Sequence, residues 1–333
     1  MNKRHNPHNY EEVALLNCIF KGIVGSKLYG TDTPESDEDY VGIFMPNKEM
    51  LYGLNPCEQV SFDTNDSGSG VKNTSEDEDM TYYTLKRFFE LAMKNNPNIV
   101  ELFFIKPDKT VISTKIWEEV RDLYSLFISR KVFDSFFGYA TSQEHLMKVK
   151  TERYLAVCAT EELLKILIDQ GHKKLDEETC KMLKETVKNF RSKKNVVREY
   201  IPGQYLEEIY EHIRIEKENY GHRRHNIVKH GFETKFGSHL VRLLYEGIEL
   251  AQSGKIEFPL KMAETIKSIK EGGKTLNETL EIVDDLKSRF KKLEANCDLP
   301  EKPKTKEINR RLIELTSEYL AGNIEQKPTS GQS

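Results

Sequence analysis

The architecture of this chain can be read outward from one stretch, Gly25-Ser26-Lys27-Leu28-Tyr29-Gly30-Thr31-Asp32-Thr33-Pro34-Glu35-Ser36-Asp37-Glu38-Asp39-Tyr40-Val41-Gly42-Ile43. Before it comes Cys18-Ile19-Phe20-Lys21-Gly22-Ile23-Val24, a short, mostly apolar run that predicts a buried strand closed by a tight turn at Gly25-Ser26. A second strand is expected from Asp39 to Met45, ended by Pro46, with loop chemistry around Gly30 and Pro34 between the two. Asp37 and Asp39 stand two apart at the start of that second strand, and side chains at i and i+2 share a face. Two carboxylates so placed repel each other unless a cation lies between them, and such hard oxygen donors suit Mg²⁺ or Mn²⁺. At the turn, backbone N–H groups and the Ser26 hydroxyl form an anion cradle to which Lys27 adds positive charge. A phosphate cradle beside a two-carboxylate metal site is what nucleotidyl transfer requires. Each half alone means little: a Gly-Ser turn is common, and an Asp-x-Asp is usually a solvated loop. Their strand–turn–helix–loop–strand order gives the pair its meaning, and the spacing does not fit an EF-hand.

Further along, Asn65–Asp79 is Ser/Gly-rich and then acidic, which predicts a mobile loop. Leu85, Phe88, Phe89 and Ala92 fall at i, i+3, i+4 and i+7, one apolar helix face, stopped by Asn95-Asn96-Pro97-Asn98. Ile99–Ile105 reads as another strand. Beyond about residue 112 the apolar spacing is helical, with stripes at Ile116, Val120, Leu123 and Phe127 and again at Leu240, Leu243, Leu244 and Ile248. The expected organisation is α+β: a small mixed-sheet domain over 1–111, a mostly helical domain over 112–322, and a disordered tail over 323–333.

Composition narrows the function classes. The 333 residues are 38% hydrophobic and 31% charged, with no apolar run long enough for a membrane helix and no apolar signal core in Met1–Tyr10. A cytoplasmic protein without membrane contact is expected. The five cysteines (Cys18, Cys57, Cys158, Cys180 and Cys297) are widely spaced, which excludes a disulfide framework or zinc ribbon. A net charge of −4 excludes a globally basic nucleic-acid coat but leaves room for a local patch. Residues 181–198 are such a patch: Lys181, Lys184, Lys188 and Arg191 line one side of an expected helix, followed by Lys193, Lys194 and Arg198. A charge run of this kind is commonly a solvated face; against an acidic chain it suggests a polyanion such as RNA. Tyr220–His230 reads as a basic, histidine-rich loop without metal-ligand spacing.

Gly-Ser-x10-Asp-x-Asp resembles the signature of the DNA polymerase beta-like nucleotidyltransferases. Gly25-Ser26-x-x-Tyr29-Gly30-Thr31, Ser36-Asp37-x-Asp39, Asn96-Pro97-Asn98-Ile99-Val100-Glu101-Leu102 and Lys235-x-x-x-His239-Leu240-Val241-Arg242-Leu243-Leu244 resemble the predicted nucleotidyltransferases that include RNA-ligase-associated members. Gly138-Tyr139-Ala140 and Gly254–Pro259 also fit, so the likeness runs from about Phe20 to Pro300. Two positions depart: Lys27 stands where relatives often carry arginine, and Glu38 where they carry an apolar or aromatic residue.

The resemblance implies Asp37 and Asp39 as catalytic metal ligands, with Gly25, Ser26, Lys27 and Tyr29 on the nucleotide. It also implies a third catalytic carboxylate before the Leu85 helix; Asp79 matches best, and Asp77 is the second choice. Lys235, His239 and Arg242 share one helix face. They are expected to close over the triphosphate or the acceptor. The implied activity is transfer of a nucleoside monophosphate from an NTP to an acceptor hydroxyl. An RNA end is favoured, with Lys181, Lys184, Lys188 and Arg191 as its contacts; a protein or small-molecule acceptor, or an inert nucleotide- or RNA-binding module, are the alternatives.

Overall fold

The computed structural model describes residues 10–34, 36–63, 79–188, 200–220 and 222–322. Of the loop expected over 65–79, residues 65–78, Asp77 among them, lie outside them, as does the tail over 323–333. Strand β1 (Cys18–Val24) is followed by the one-turn helix α1 (Ser26–Tyr29) and by β2 (Asp39–Phe44). Strands β3 (Gln59–Asp63) and β4 (Asp79–Thr84) complete four of five strands. The sheet order is β3-β4-β2-β1-β5, with β2 and β4 parallel and the other neighbours antiparallel. The fold is α+β, as the sequence pattern implies.

Thr84 ends β4 and starts helix α2 (Leu85–Ala92): its hydroxyl accepts the Arg87 N–H at 3.3 Å. The expected face of Leu85, Phe88, Phe89 and Ala92 is buried. Phe88 packs against Phe103 and Trp117, and Trp117 stacks on Phe20 of β1 with centroids 4.2 Å apart. Aromatic side chains carry large apolar areas, and this cluster is the centre of the core beneath the sheet.

One expected strand is absent. Residues 99–105 form helix α3 (Pro97–Val100), continued as a 3₁₀ turn from Glu101 to Phe104. Proline at the first helical position fixes φ where the helix needs it, and the Asn96 side chain accepts the Asn98 N–H at 3.1 Å. Ile99, Val100, Leu102 and Phe103 are all buried, so the run carries no amphipathic period to separate helix from strand. The fifth strand, β5 (Thr110–Ser113), pairs with β1 just beyond it.

One compact unit comprises the chain to Tyr139, Arg242–Lys267 and the chain from Asp285 on; the other comprises Ala140–Val241 and Ser268–Asp284. Residues 112–139 belong with the sheet because their aromatics are the core: Trp117 stacks on Phe20, and Phe127 meets Phe89 and Phe103. Helix α4 (Lys131–Asp169) runs from the first unit into the second. The second unit has its own core of Leu164, Leu183, Leu206 and Ile213. Its helix α5 (Glu177–Thr186) opens with an Asp176–Thr179 capping box and stops at Thr186, short of the expected length. The expected loop near Tyr220 is largely helix α6 (His222–His230), followed by α7 (Thr234–Ser253). No helix among the described residues is long and apolar enough to cross a membrane.

Candidate active site

Gly25 links β1 to α1 with φ +68°, a left-handed value that favours glycine. A second constraint acts at the same atom: a Cβ added there would lie 2.4 Å from Asp39 Oδ2. The turn and the second carboxylate of the Asp-x-Asp are therefore in direct apposition, as the register of β1 and β2 requires, since Val24 pairs with Asp39. Ser26, the first residue of α1, is half-buried beside them. Asp39 is the first residue of β2 and half-buried, whereas Asp37 precedes the strand and is exposed. The Asp-x-Asp thus straddles the strand start instead of lying within it.

Parallel pairing of β2 with β4 sets Asp79 directly opposite Asp39, and β3 brings Asp63 opposite Asp79. Three aspartate positions stand in one row across three strands. Asp63 escaped sequence reasoning because nothing in its own segment reveals the register of β3. Among the described residues no group of three or more His, Cys, Asp or Glu side chains could hold a metal. Asp39 against the turn and Asp37 two residues before it carry carboxylates, which suit a hard divalent cation.

Lys27 Nζ is paired with Glu38 Oε1 at 2.6 Å, and the Tyr40 hydroxyl donates to Glu38 Oε2 at 2.5 Å. The hydrogen bond from Lys27, then that from Tyr40, holds the Glu38 carboxyl below the usual carboxylate range. The two positions at which this chain departs from the resembling family are thus each other's partners. Lys27 lies at the turn, engaged with Glu38.

Tyr29 and Arg242 occupy different surroundings from those expected. The Tyr29 hydroxyl donates to Glu101 Oε2 at 2.9 Å, and the Arg242 guanidinium lies 4.4 Å from the Tyr29 ring centroid. Arg242 Nη1 donates to both oxygens of Glu246, at 3.1 and 3.0 Å, and lies 3.5 Å from Glu101 Oε2. Tyr29, Glu101, Arg242 and Glu246 are all buried. Their polar groups face one another inside the first unit, so the nucleotide-binding candidates Tyr29 and Arg242 are both engaged with buried carboxyl groups. Lys235 is exposed and His239 half-buried on the same helix, α7, but both belong to the second unit. The two carboxylates were missed, although each is a charge inside an apolar run, at Val100-Glu101-Leu102 and Tyr245-Glu246-Gly247. Lys181 and Lys184 are exposed on α5, Lys188 is exposed beyond its end, and Arg191 lies outside the described residues.

A model of the RNA repair pathway DNA polymerase beta family matches residues 3–318. The chain is 28% identical over 300 residues to an uncharacterized 38.9 kDa protein from the nrdC-mobD intergenic region of Enterobacteria phage T4, covering 81% of this chain and 88% of that protein. No solved structure matches.

Proposed function

The chain belongs to the RNA repair pathway DNA polymerase beta family, and from that membership we propose a metal-dependent nucleotidyltransferase that moves a nucleoside monophosphate from an NTP to an acceptor hydroxyl, with an RNA end as the favoured acceptor. The observation that carries this reading is the apposition of the Gly25 turn with Asp39, beside which the strand register sets Asp79.

In this reading Gly25 and Ser26 hold the β- and γ-phosphates, and Lys27 joins them when it leaves Glu38. Asp37 and Asp39 would hold Mg²⁺ or Mn²⁺, with Asp79 completing the set. The ion, when bound, offsets the charge of the triphosphate and of the developing transition state. Asp79 is the candidate to accept the proton of the acceptor hydroxyl. The acceptor oxygen forms a bond to the α-phosphorus, the bond from that phosphorus to the β-phosphate bridging oxygen breaks, and pyrophosphate leaves. Exposed Lys181, Lys184 and Lys188, with Arg191, would contact the phosphates of an RNA acceptor, and Lys235 and His239 remain candidates for substrate contact.

Transfer of label from each α-labelled NTP, with Mg²⁺ and a panel that begins with tRNA and cut tRNA, tests the proposal. Label on RNA supports it. Label on a protein or small molecule would replace the acceptor, and no transfer to any acceptor despite NTP binding would leave an inert binding module.

A further inference from the structure

The cluster of Tyr29, Glu101, Arg242 and Glu246 has no contact role in the transfer step, and its composition asks for a reason. Two carboxylates and one guanidinium are buried together, with exposures of 2% for Glu101, 0% for Glu246 and 5% for Arg242. Burying charge is unfavourable unless each group is paired, and an apolar cluster of the same volume is often as stable or more so. Stability alone does not explain it. What the paired groups of such a network do supply is a single geometry, although the buried Arg242 Nε has no hydrogen-bond partner among the described residues.

That geometry converges on Tyr29. Its hydroxyl is held by Glu101, its ring lies under Arg242, and its carbonyl accepts the Leu260 N–H at 3.1 Å. The next residue, Gly30, sits so close to Pro259 that a Cβ would come within 2.8 Å of that ring. Tyr29 is the last residue of α1, and Ser26 is the first. A four-residue helix has almost no stability of its own. The Leu28 and Tyr29 N–H groups bond to the Gly25 carbonyl, and the Thr31 N–H bonds to the Ser26 carbonyl. The direction in which this one turn presents Gly25 and Ser26 must therefore come from whatever holds Tyr29.

We propose that Tyr29, Glu101, Arg242 and Glu246 form a buried positioning device that sets the Gly25-Ser26 turn for the triphosphate, a role that rests on the nucleotidyltransferase reading of that turn. The charge balance makes the device sensitive to alkaline pH. Burial, the largest influence, pushes the Glu101 carboxyl up to about 8 against the pull of Arg242, and burial raises Glu246 as well. The groups facing Glu101 are Tyr29 from α1 and Arg242 and Glu246 from α7, with Glu249 acting further on Glu246. Below about pH 8 the Glu101 proton keeps two carboxyls balanced against one guanidinium; above it a net negative charge is left buried and α1 loosens.

Two volume-conserving variants of the full chain test this. The direct measurement is the hydrogen-exchange protection factor of the Leu28, Tyr29 and Thr31 amides in the nucleotide-free protein, together with KM and kcat. Tyr29→Phe removes one buried hydrogen bond and is expected to lower those protection factors about tenfold. It should raise KM for the NTP by a similar factor while kcat changes less than twofold. Glu101→Gln still accepts the Tyr29 hydrogen bond but cannot ionise. It should keep wild-type protection at pH 7 and should lose the fall in protection that the wild type shows between pH 7 and 9. Unchanged protection in Tyr29→Phe, or the same alkaline fall in Glu101→Gln, would overturn the positioning role. If Tyr29→Phe does not fold, the alkaline profile of Glu101→Gln decides alone. Protection is read without nucleotide, so the two readings fail separately. A wild type that binds no NTP removes the nucleotide role whatever the protection factors show. Normal transfer with unmoved protection removes the positioning device alone.

Discussion

The two ends of helix α1 are built in opposite ways. At its open end the turn lies against half-buried Asp39, and the ion pair there, Lys27–Glu38, is 28% and 37% exposed. At its other end, Tyr29 is locked among Glu101, Arg242 and Glu246, whose charged side chains are 3%, 6% and 0% exposed. Solvent screens the first pair, and such pairs contribute about 0–1 kcal/mol. The second cluster has no solvent to fall back on, so losing one partner leaves the rest unpaired. A site that must accept a charged ligand needs the first kind of chemistry where the ligand arrives. It can use the second where nothing should move.

That contrast can be broken by substitution. Asp39→Ala or Asp37→Ala at the open end should abolish detectable nucleotidyl transfer while the unfolding temperature stays within a few degrees of wild type. Label-transfer rates and thermal melts of the same samples check this, and near-wild-type turnover in either variant would sink the active-site assignment. At the locked end, Arg242→Met should instead cost about 3–5 kcal/mol in denaturant unfolding, because the buried Glu246 carboxylate loses its cation.

The third test uses pH. Glu101 has its folded-state pKa raised from 4.5 to about 8, so its contribution to stability is fully present below about 4.5 and is lost as pH rises through 8. Wild-type stability should therefore decline relative to Glu101→Gln across that window, and parallel curves from pH 5 to 9 would contradict the burial of an ionisable group there.

A smaller effect is expected in the second unit. If RNA is the acceptor, replacing Lys181, Lys184, Lys188 and Arg191 by Ser should flatten the salt dependence of RNA binding by about 0.7 in log–log slope for each phosphate that is no longer neutralised. NTP affinity should hold, and an unchanged slope would make α5 a plain solvated face. The smallest effect is at the surface pair: Glu38→Gln should free Lys27 and tighten NTP binding by no more than about fivefold, equivalent to under about 1 kcal/mol, as calorimetric titration would read. A weakened affinity would mean that Glu38 orients Lys27 instead of competing for it.

Much of the sheet half was legible from residue order. The apolar run ending at Gly25 and the stripe from Leu85 to Ala92 each encode an element through local spacing, and the structure has those elements. The strand expected at 99–105 failed because complete burial removes the polar half of the pattern, and the decisive residues, Asn96 and Pro97, lie at its edge. The helix expected to carry the basic stripe ends at Thr186, so Lys188 is not on it.

By itself, then, the sequence determined the strand–turn–helix–loop–strand order around Gly25 and Asp39, because glycine's backbone freedom and strand periodicity act within a few residues. Only the tertiary structure decided which distant groups meet. Asp79 pairs with Asp39 in a parallel backbone register, and Tyr29 meets Glu101 across 72 residues. It also set the Arg242 guanidinium beside the buried carboxyl groups of Glu101 and Glu246. Burial is the reason: whether a charge serves a ligand or the core depends on what surrounds it once the chain has closed, and neighbours in sequence do not specify that.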